Sequence, residues 1–166
     1  KKTSKKKTNK KYEYILAFDG DADRIAIFKK NYGIIESEKI ALIFALYLRK
    51  RKNNQIISTL IANPGLKKIL KECDLNLIKT NVGDRNVTTL QEKRKAILGF
   101  ETSGHYSFMN FMDGIFSAGY FLKILANNEK LIIDCLYKSL NYKLFKVNLK
   151  KNVKVKLVKR KIKINK

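Results

Sequence analysis

Acidic residues are scarce in this chain, with 14 Asp and Glu against 37 Lys and Arg, for a formal charge of +23 over 166 residues. Such a charge on one folded face would imply a nucleic-acid or anionic-membrane partner, so its location decides its meaning. Residues 1–12 hold seven Lys and no acid, residues 146–166 hold ten Lys or Arg and no acid, and the middle carries only +6 of the total. Like-charge runs at chain ends repel and stay solvated, so residues 1–13 and 150–166 read as a basic start and a basic tail without fixed structure. No helix-turn-helix, zinc-finger or RNA-binding aromatic signature occurs, and no nucleic-acid partner is indicated.

Cysteine is almost missing too. Cys73 and Cys135 stand alone without C-x-x-C spacing, which excludes a disulfide framework or a thiolate zinc site and fits a reducing cytoplasm. No apolar run approaches the roughly 18 residues of a membrane span, and the basic start is not followed by an apolar signal core, so a soluble protein is expected. Internal repeats are absent. Histidine occurs once, at His105.

What is present is alternation. Tyr14 to Phe18 (YILAF) reads as a buried strand entering an Asp-Gly turn, Ile25 to Phe28 resumes it, and Asn31-Tyr32-Gly33 closes a second turn. Ile40, Ile43, Phe44 and Tyr47 recur at helical spacing behind Ser37 as a cap, predicting a helix over 37–50. Gln55 to Ile61 is strand-like, Pro64 opens a helix to Glu72, Leu75 to Lys79 is a strand, and Asp84 starts a helix to Lys93. Ala96 to Phe100 and Tyr106 to Met109 are strands around a T-S-G-H turn. Helices over 113–127 and 130–140 and a strand over 144–149 complete the pattern. Strands alternating with helices predict an α/β layered domain, with a mixed sheet between helices, preceded by a strand-loop-strand metal-binding unit.

Three loops carry the chemistry. In D-G-D-A-D-R, Asp19, Asp21 and Asp23 lie two apart, so extended backbone would turn their carboxylates to one side. Three adjacent carboxylates repel unless a cation neutralises them, and all-oxygen ligands select a hard ion such as Mg²⁺. Arg24 adds a planar donor suited to phosphate. A calcium EF-hand is excluded because its sixth and twelfth positions would be Arg24 and Lys30 in place of Gly and Glu. A haloacid-dehalogenase-type phosphatase, with Asp19 as nucleophile and Asp21 as acid/base, survives this local test. T-N-V-G-D-R-N-V (80–87) sets Asp84 and Arg85 at a helix mouth, where helix-start chemistry alone would explain Asp84. F-E-T-S-G-H-Y-S (100–107) gathers Glu101, Ser103 and His105 around Gly104, a turn with donors and acceptors for sugar hydroxyls.

In this order the loops resemble those of the α-D-phosphohexomutase superfamily, which interconverts hexose 1- and 6-phosphates. A-F-D-G-D-A-D-R is similar to its metal loop and F-E-T-S-G-H to its sugar loop, usually G-E-x-S-G-H. V-G-D-R resembles the phosphoglucosamine mutase branch more than phosphomannomutases or phosphoglucomutases, and S-T-L-I-A-N-P-G-L (58–66) and M-D-G-I-F-S-A (112–118) fit the spacing. The resemblance implies that Asp19, Asp21 and Asp23 bind Mg²⁺, that Arg24 lies beside the reacting phosphate and His105 near the transferred group, and that Glu101 and Ser103, with Asp84 and Arg85, meet a hexosamine or hexose phosphate. It implies residues 14–36 as the end of a second mutase domain and 37–149 as the third. Phe100 stands where the family usually has Gly, which implies a displaced or occluded sugar loop, and I-E-S-E-K (35–39) replaces V-D-G-D-x. No stretch matches the S-H-N-P nucleophile loop or the R-x-S-G-T phosphate loop. The expectation is a partial phosphohexomutase, inactive by itself, whose missing domains would come as a separate chain if the enzyme is split. The alternative in another class is a basic polyanion-binding remnant.

Overall fold

Residues 12–49 and 53–140 are described by a computed structural model, and they build two sheets joined by a central helix. The first sheet is antiparallel, in the order β1 (Tyr14–Phe18), β2 (Ile25–Lys29), β3 (Gly33–Ile34), with Tyr14 opposite Lys29 and Phe18 opposite Ile25. The turn before β3 uses left-handed backbone at Asn31 and Gly33. After α1 (Ser37–Leu48) come β4 (Gln55–Thr59), α2 (Pro64–Glu72), β5 (Asn76–Thr80), α3 (Asp84–Arg94), β6 (Leu98–Phe100), β7 (Tyr106–Ser107) and α4 (Gly114–Tyr137). The second sheet runs β5-β4-β6-β7; β4 is parallel to both neighbours and β7 returns antiparallel to β6. This is the mixed sheet between helices that the alternation predicts.

The period of two along β4 assigns the layers. Ile56 belongs to the main core with α1, α2 and α4, whereas Ile57 faces the other way, onto Val87 of α3 and Ala96. Helix α1 is apolar nearly all round: Ile40 to Ala45 are buried without interruption, as expected of a helix enclosed by other layers. Phe44 sets edge-on contacts with Tyr106, Phe108 and Tyr120, which tie β7 and α4 to α1. The first sheet packs one face on α4, where Tyr14 meets Phe121 edge-on at 5.7 Å. Lys39, itself buried, fastens this arrangement: its ammonium donates to the Tyr32 hydroxyl at 2.7 Å and to the Leu136 carbonyl, one of the free acceptors at the end of α4.

Several expectations change. β1 is not a buried strand, because Ile15 and Phe18 are exposed and only Tyr14 and Leu16 lean on the core. Ser37 is not the cap of α1; the helix starts at Ser37 and Glu36 precedes it, its carbonyl accepting from the N–H groups of Lys39 and Ile40. That also shows I-E-S-E-K to be a sound helix entry. The gap expected between helices over 113–127 and 130–140 is present as a break in α4 at Asn128 (φ −159°, ψ 60°), whose side chain accepts from the Leu131 N–H at 3.1 Å and so restarts the helix. The expected strand over 144–149, most of the basic start, the basic tail and the last residue of the helix expected over 37–50 lie outside the described residues.

Candidate metal and sugar-phosphate site

The acidic loop joins β1 to β2, and its carboxylates converge by a different route from the one the spacing suggests. The backbone is not extended. Ala22 takes left-handed torsions (φ 59°) and its N–H returns to the Asp19 carbonyl at 3.3 Å, curling the loop so that one oxygen of each of Asp19, Asp21 and Asp23 lies within 4.8 Å of the others. The Arg24 backbone N–H donates to Asp19 Oδ1 at 3.2 Å. Magnesium–oxygen distances of about 2.0–2.1 Å require ligand oxygens no more than roughly 4.2 Å apart. The 4.8 Å spread is slightly wider than that, and the Asp19 and Asp21 side chains are exposed. Asp23 Oδ1 is buried and has no hydrogen-bond partner, a costly condition for a carboxylate oxygen that a bound cation would relieve. The donor set and this orphaned oxygen both fit Mg²⁺.

Two close approaches hold the loop from outside. The loop over 100–107 docks through Gly104, whose carbonyl accepts from the Ile25 N–H at 3.1 Å; Gly104 has φ +100°, and a Cβ there would meet the Ile25 carbonyl oxygen at 2.8 Å. The start of α4 also abuts the loop, with the Gly114 N–H donating to the Ala22 carbonyl at 3.0 Å. A Cβ on Gly114 would stand 2.6 Å from the Arg24 carbonyl oxygen and 2.7 Å from that of Ala22. Asp113 caps this helix by accepting from the Phe116 N–H at 2.8 Å.

His105 joins the two loops. It is buried at 5% exposure, with Nδ1 2.9 Å from Ser103 Oγ and 3.4 Å from Glu101 Oε2. Its Nε2 lies 3.0 Å from Asp23 Oδ2 and also accepts from Arg24 Nε at 3.0 Å. Arg24 Nε is in turn 3.3 Å from Asp19 Oδ2 and 3.7 Å from Asp23 Oδ1, while half of its side chain remains exposed. Glu101 is buried, and its Oε1 accepts from the Gly83 N–H at 2.9 Å. That contact draws in the V-G-D-R loop, where Gly83 has φ 126° and ψ 135°, a conformation reserved for glycine.

Seven of the nine candidate residues therefore form one connected group: Asp19, Asp21, Asp23, Arg24, Glu101, Ser103 and His105. Asp84 and Arg85 are not part of it. Both are exposed at the start of α3, and Asp84 Oδ1 accepts from the Arg85 N–H at 2.7 Å; the cap position belongs to Gly83. Phe100 does not occlude the sugar loop, because its ring is fully buried and stacks on Tyr106 at 6.5 Å. What the residues alone did not show is the positioning by backbone of Gly83, Gly104 and Gly114; glycines inside all three quoted motifs were the available signal.

The family model for phosphoglucomutase/phosphomannomutase, alpha/beta/alpha domain III, matches residues 36–141. The chain belongs to this family. Among curated relatives of this chain, the phosphoglucosamine mutase of Ligilactobacillus salivarius is 35% identical over 141 residues, covering 81% of this chain and 31% of the relative. A phosphoglucomutase/phosphomannomutase family protein from Burkholderia thailandensis has the same fold at TM-score 0.67 and 27% identity, covering 74% of this chain and 28% of that one. The N-acetylphosphoglucosamine mutase of Aspergillus fumigatus, solved with GlcNAc-6P and magnesium, shares the fold at TM-score 0.60 and 18% identity over 78% of this chain and 37% of that one. The chain spans about a third of the length of the curated relatives it matches. Membership in a mutase family takes the place of the phosphatase alternative. No helix among the described residues is long and apolar enough to cross a membrane.

Proposed function

We propose that these residues supply the metal loop and the sugar loop of a phosphoglucosamine mutase, which interconverts glucosamine 6-phosphate and glucosamine 1-phosphate in the cytoplasm. The observation that carries this reading is the contact of the two loops through His105, 3.0 Å from Asp23 of the carboxylate triad and 2.9 Å from Ser103 of the sugar turn. A metal site and a hydroxyl-binding turn share one histidine. On this reading residues 14–36 close a second mutase domain and the residues from 37 onward form the third.

In a phosphoserine mutase the enzyme's phosphoryl passes to the sugar, and the resulting bisphosphate reorients and returns its other phosphoryl to serine. The barrier is lowered by in-line positioning and by stabilising the charge on the transferring group. Asp19, Asp21 and Asp23 would hold Mg²⁺, which supplies that neutralising charge when bound. Arg24, its side chain half exposed beside the same place, can take phosphate oxygens with its guanidinium. Ser103 is exposed on the sugar turn and offers its hydroxyl to the sugar, while Glu101 and His105 shape the turn from beneath. Asp84 and Arg85, on the exposed start of α3, would meet the substrate from its far side.

No serine in the 166 residues sits in a stretch resembling S-H-N-P, so the phosphorylated nucleophile would come from residues outside them. The test pairs binding with turnover. Glucosamine 6-phosphate with Mg²⁺ should shift the backbone amide resonances of Asp19–Arg24 and Glu101–His105, yet the chain alone should give no glucosamine 1-phosphate. Addition of a polypeptide carrying the phosphoserine loop and the phosphate-binding domain should restore conversion. Shifts confined to the basic ends, or turnover by the chain alone, would contradict this reading.

A further inference from the structure

We infer that Glu101 is a positioning residue for the acidic loop, fixing the tautomer of His105 and through it the place of Arg24. The inference rests on the reading of Asp19, Asp21 and Asp23 as a metal site. His105 Nε2 is contested, because Asp23 Oδ2 at 3.0 Å can only accept a hydrogen from it, whereas Arg24 Nε at 3.0 Å can only donate one to it. A neutral imidazole carries one hydrogen, and one ring nitrogen cannot do both. The decision falls to the groups around Nδ1. Ser103 Oγ, at 2.9 Å, serves equally as donor or acceptor and decides nothing. Glu101 Oε2, at 3.4 Å, is a buried carboxylate and favours a hydrogen on Nδ1. Its other oxygen is taken by the Gly83 N–H, so the side chain is held in the orientation that does this.

With the hydrogen on Nδ1, Nε2 is an acceptor and takes the Arg24 Nε–H. Two consequences follow for the triad. No hydrogen on Nε2 competes with a cation for Asp23 Oδ2, and Arg24 is tethered to His105, so that it is less available to Asp19 and Asp23 as a substitute cation. A cation held by the triad also satisfies Asp23, which removes the group that votes for a hydrogen on Nε2 and leaves Glu101 dominant. A glutamate of the sugar turn thus acts on the metal loop through two side chains, without touching it. Outer-shell partners of metal ligands change metal affinity by ~10–100-fold when removed, and Glu101 acts through such a partner, His105.

His105 is the only histidine, so its ring nitrogens can be read without assignment ambiguity in two-bond ¹H–¹⁵N spectra of the full chain. At one fixed pH above neutrality with saturating Mg²⁺, the parent chain should show the Nδ1–H tautomer. Glu101→Gln keeps an acceptor for the Gly83 N–H but turns an amide donor toward Nδ1, and should move the hydrogen to Nε2. Ser103→Ala should leave the tautomer in place. Mn²⁺ affinity, followed by electron paramagnetic resonance, should fall ~10-fold or more in Glu101→Gln and change less than about twofold in Ser103→Ala. Circular dichroism and the thermal transition of each variant identify loss of fold, and Glu101→Asp, which restores the charge, should recover part of the Nδ1–H population. An unchanged tautomer in folded Glu101→Gln, or a Ser103→Ala effect as large, would overturn the assignment of Glu101. Failure of the parent chain to bind Mn²⁺ would instead overturn the metal reading, with the tautomer of the ion-free chain still deciding what Glu101 does to His105.

Discussion

At the scale of single residues, Gly114 is where the acidic loop is most sensitive to one methyl group. A Cβ there would lie 2.6 and 2.7 Å from two backbone carbonyl oxygens of the loop, and backbone cannot yield as a flexible side chain can. Gly114→Ala should therefore destabilise the fold by about 1–3 kcal/mol and weaken Mn²⁺ binding by displacing Ala22 and Arg24. Gly119, further along α4, has nothing within 4 Å of its Cβ position. Gly119→Ala should stabilise by about 0.4–1 kcal/mol and leave metal binding unchanged. Denaturant melts and Mn²⁺ titrations of both variants check this; equal effects would show that Gly114 is an ordinary helix-start glycine. The acidic residues were legible because Asp19, Asp21 and Asp23 share one loop. Their gathering mechanism was not: a spacing of two suggests extended backbone, and the left-handed turn at Ala22 is selected by the contacts with Gly104 and Gly114, 82 and 92 residues further along the chain.

At the scale of elements, both termini of α4 are tied down by side-chain hydrogen bonds. Lys39 donates to the Leu136 carbonyl at the helix end and to Tyr32 in the turn before β3. Replacing it with methionine keeps its apolar stem but leaves those acceptors short of a charged donor, a loss of about 1.5–3 kcal/mol. Asp113→Ala at the other end should cost about 1 kcal/mol as a lost cap. The two sites sit at opposite ends of a 24-residue element, so the double variant should be additive within about 0.5 kcal/mol. Urea melts decide this; strong non-additivity would mean that the helix frays as a unit. Element type and order could be read from apolar periodicity and from Pro64 and Asp84, which do open α2 and α3. The failures fall at boundaries. Ser37 resembles a cap but is the first helical residue, whereas the break in α4 at Asn128 falls in the gap left between the helices expected over 113–127 and 130–140. The exposure of β1 could not be read either, since its apolar composition does not say whether one face or both are covered.

At the scale of the whole molecule, the central core sets an alkaline limit. Burial pushes the Cys135 thiol up to about 12 and moves the Tyr106 hydroxyl further upward from its ordinary value near 10. Groups raised in this way give their full stabilisation below their unfolded values and lose it as pH rises toward the folded ones. These two groups should thus leave stability unchanged up to about pH 8.5, near the free thiol value, and lower it above. Native alkylation at pH 8 should modify the half-buried Cys73 and spare Cys135, which is fully buried. Mass spectrometry after iodoacetamide treatment checks this; equal labelling of both would contradict the enclosed core.

The same core holds the first sheet against α4 and thereby brings the acidic loop to the sugar turn. The central claim is that this loop is a divalent-cation site, and calorimetric titration of the 166-residue chain with Mn²⁺ at fixed ionic strength tests it most directly. A saturable heat that is at least about tenfold weaker in affinity for Asp21→Asn is the predicted result, since a ligand, and not merely an outer-shell partner, is lost. Equal heats from the two chains would contradict the account.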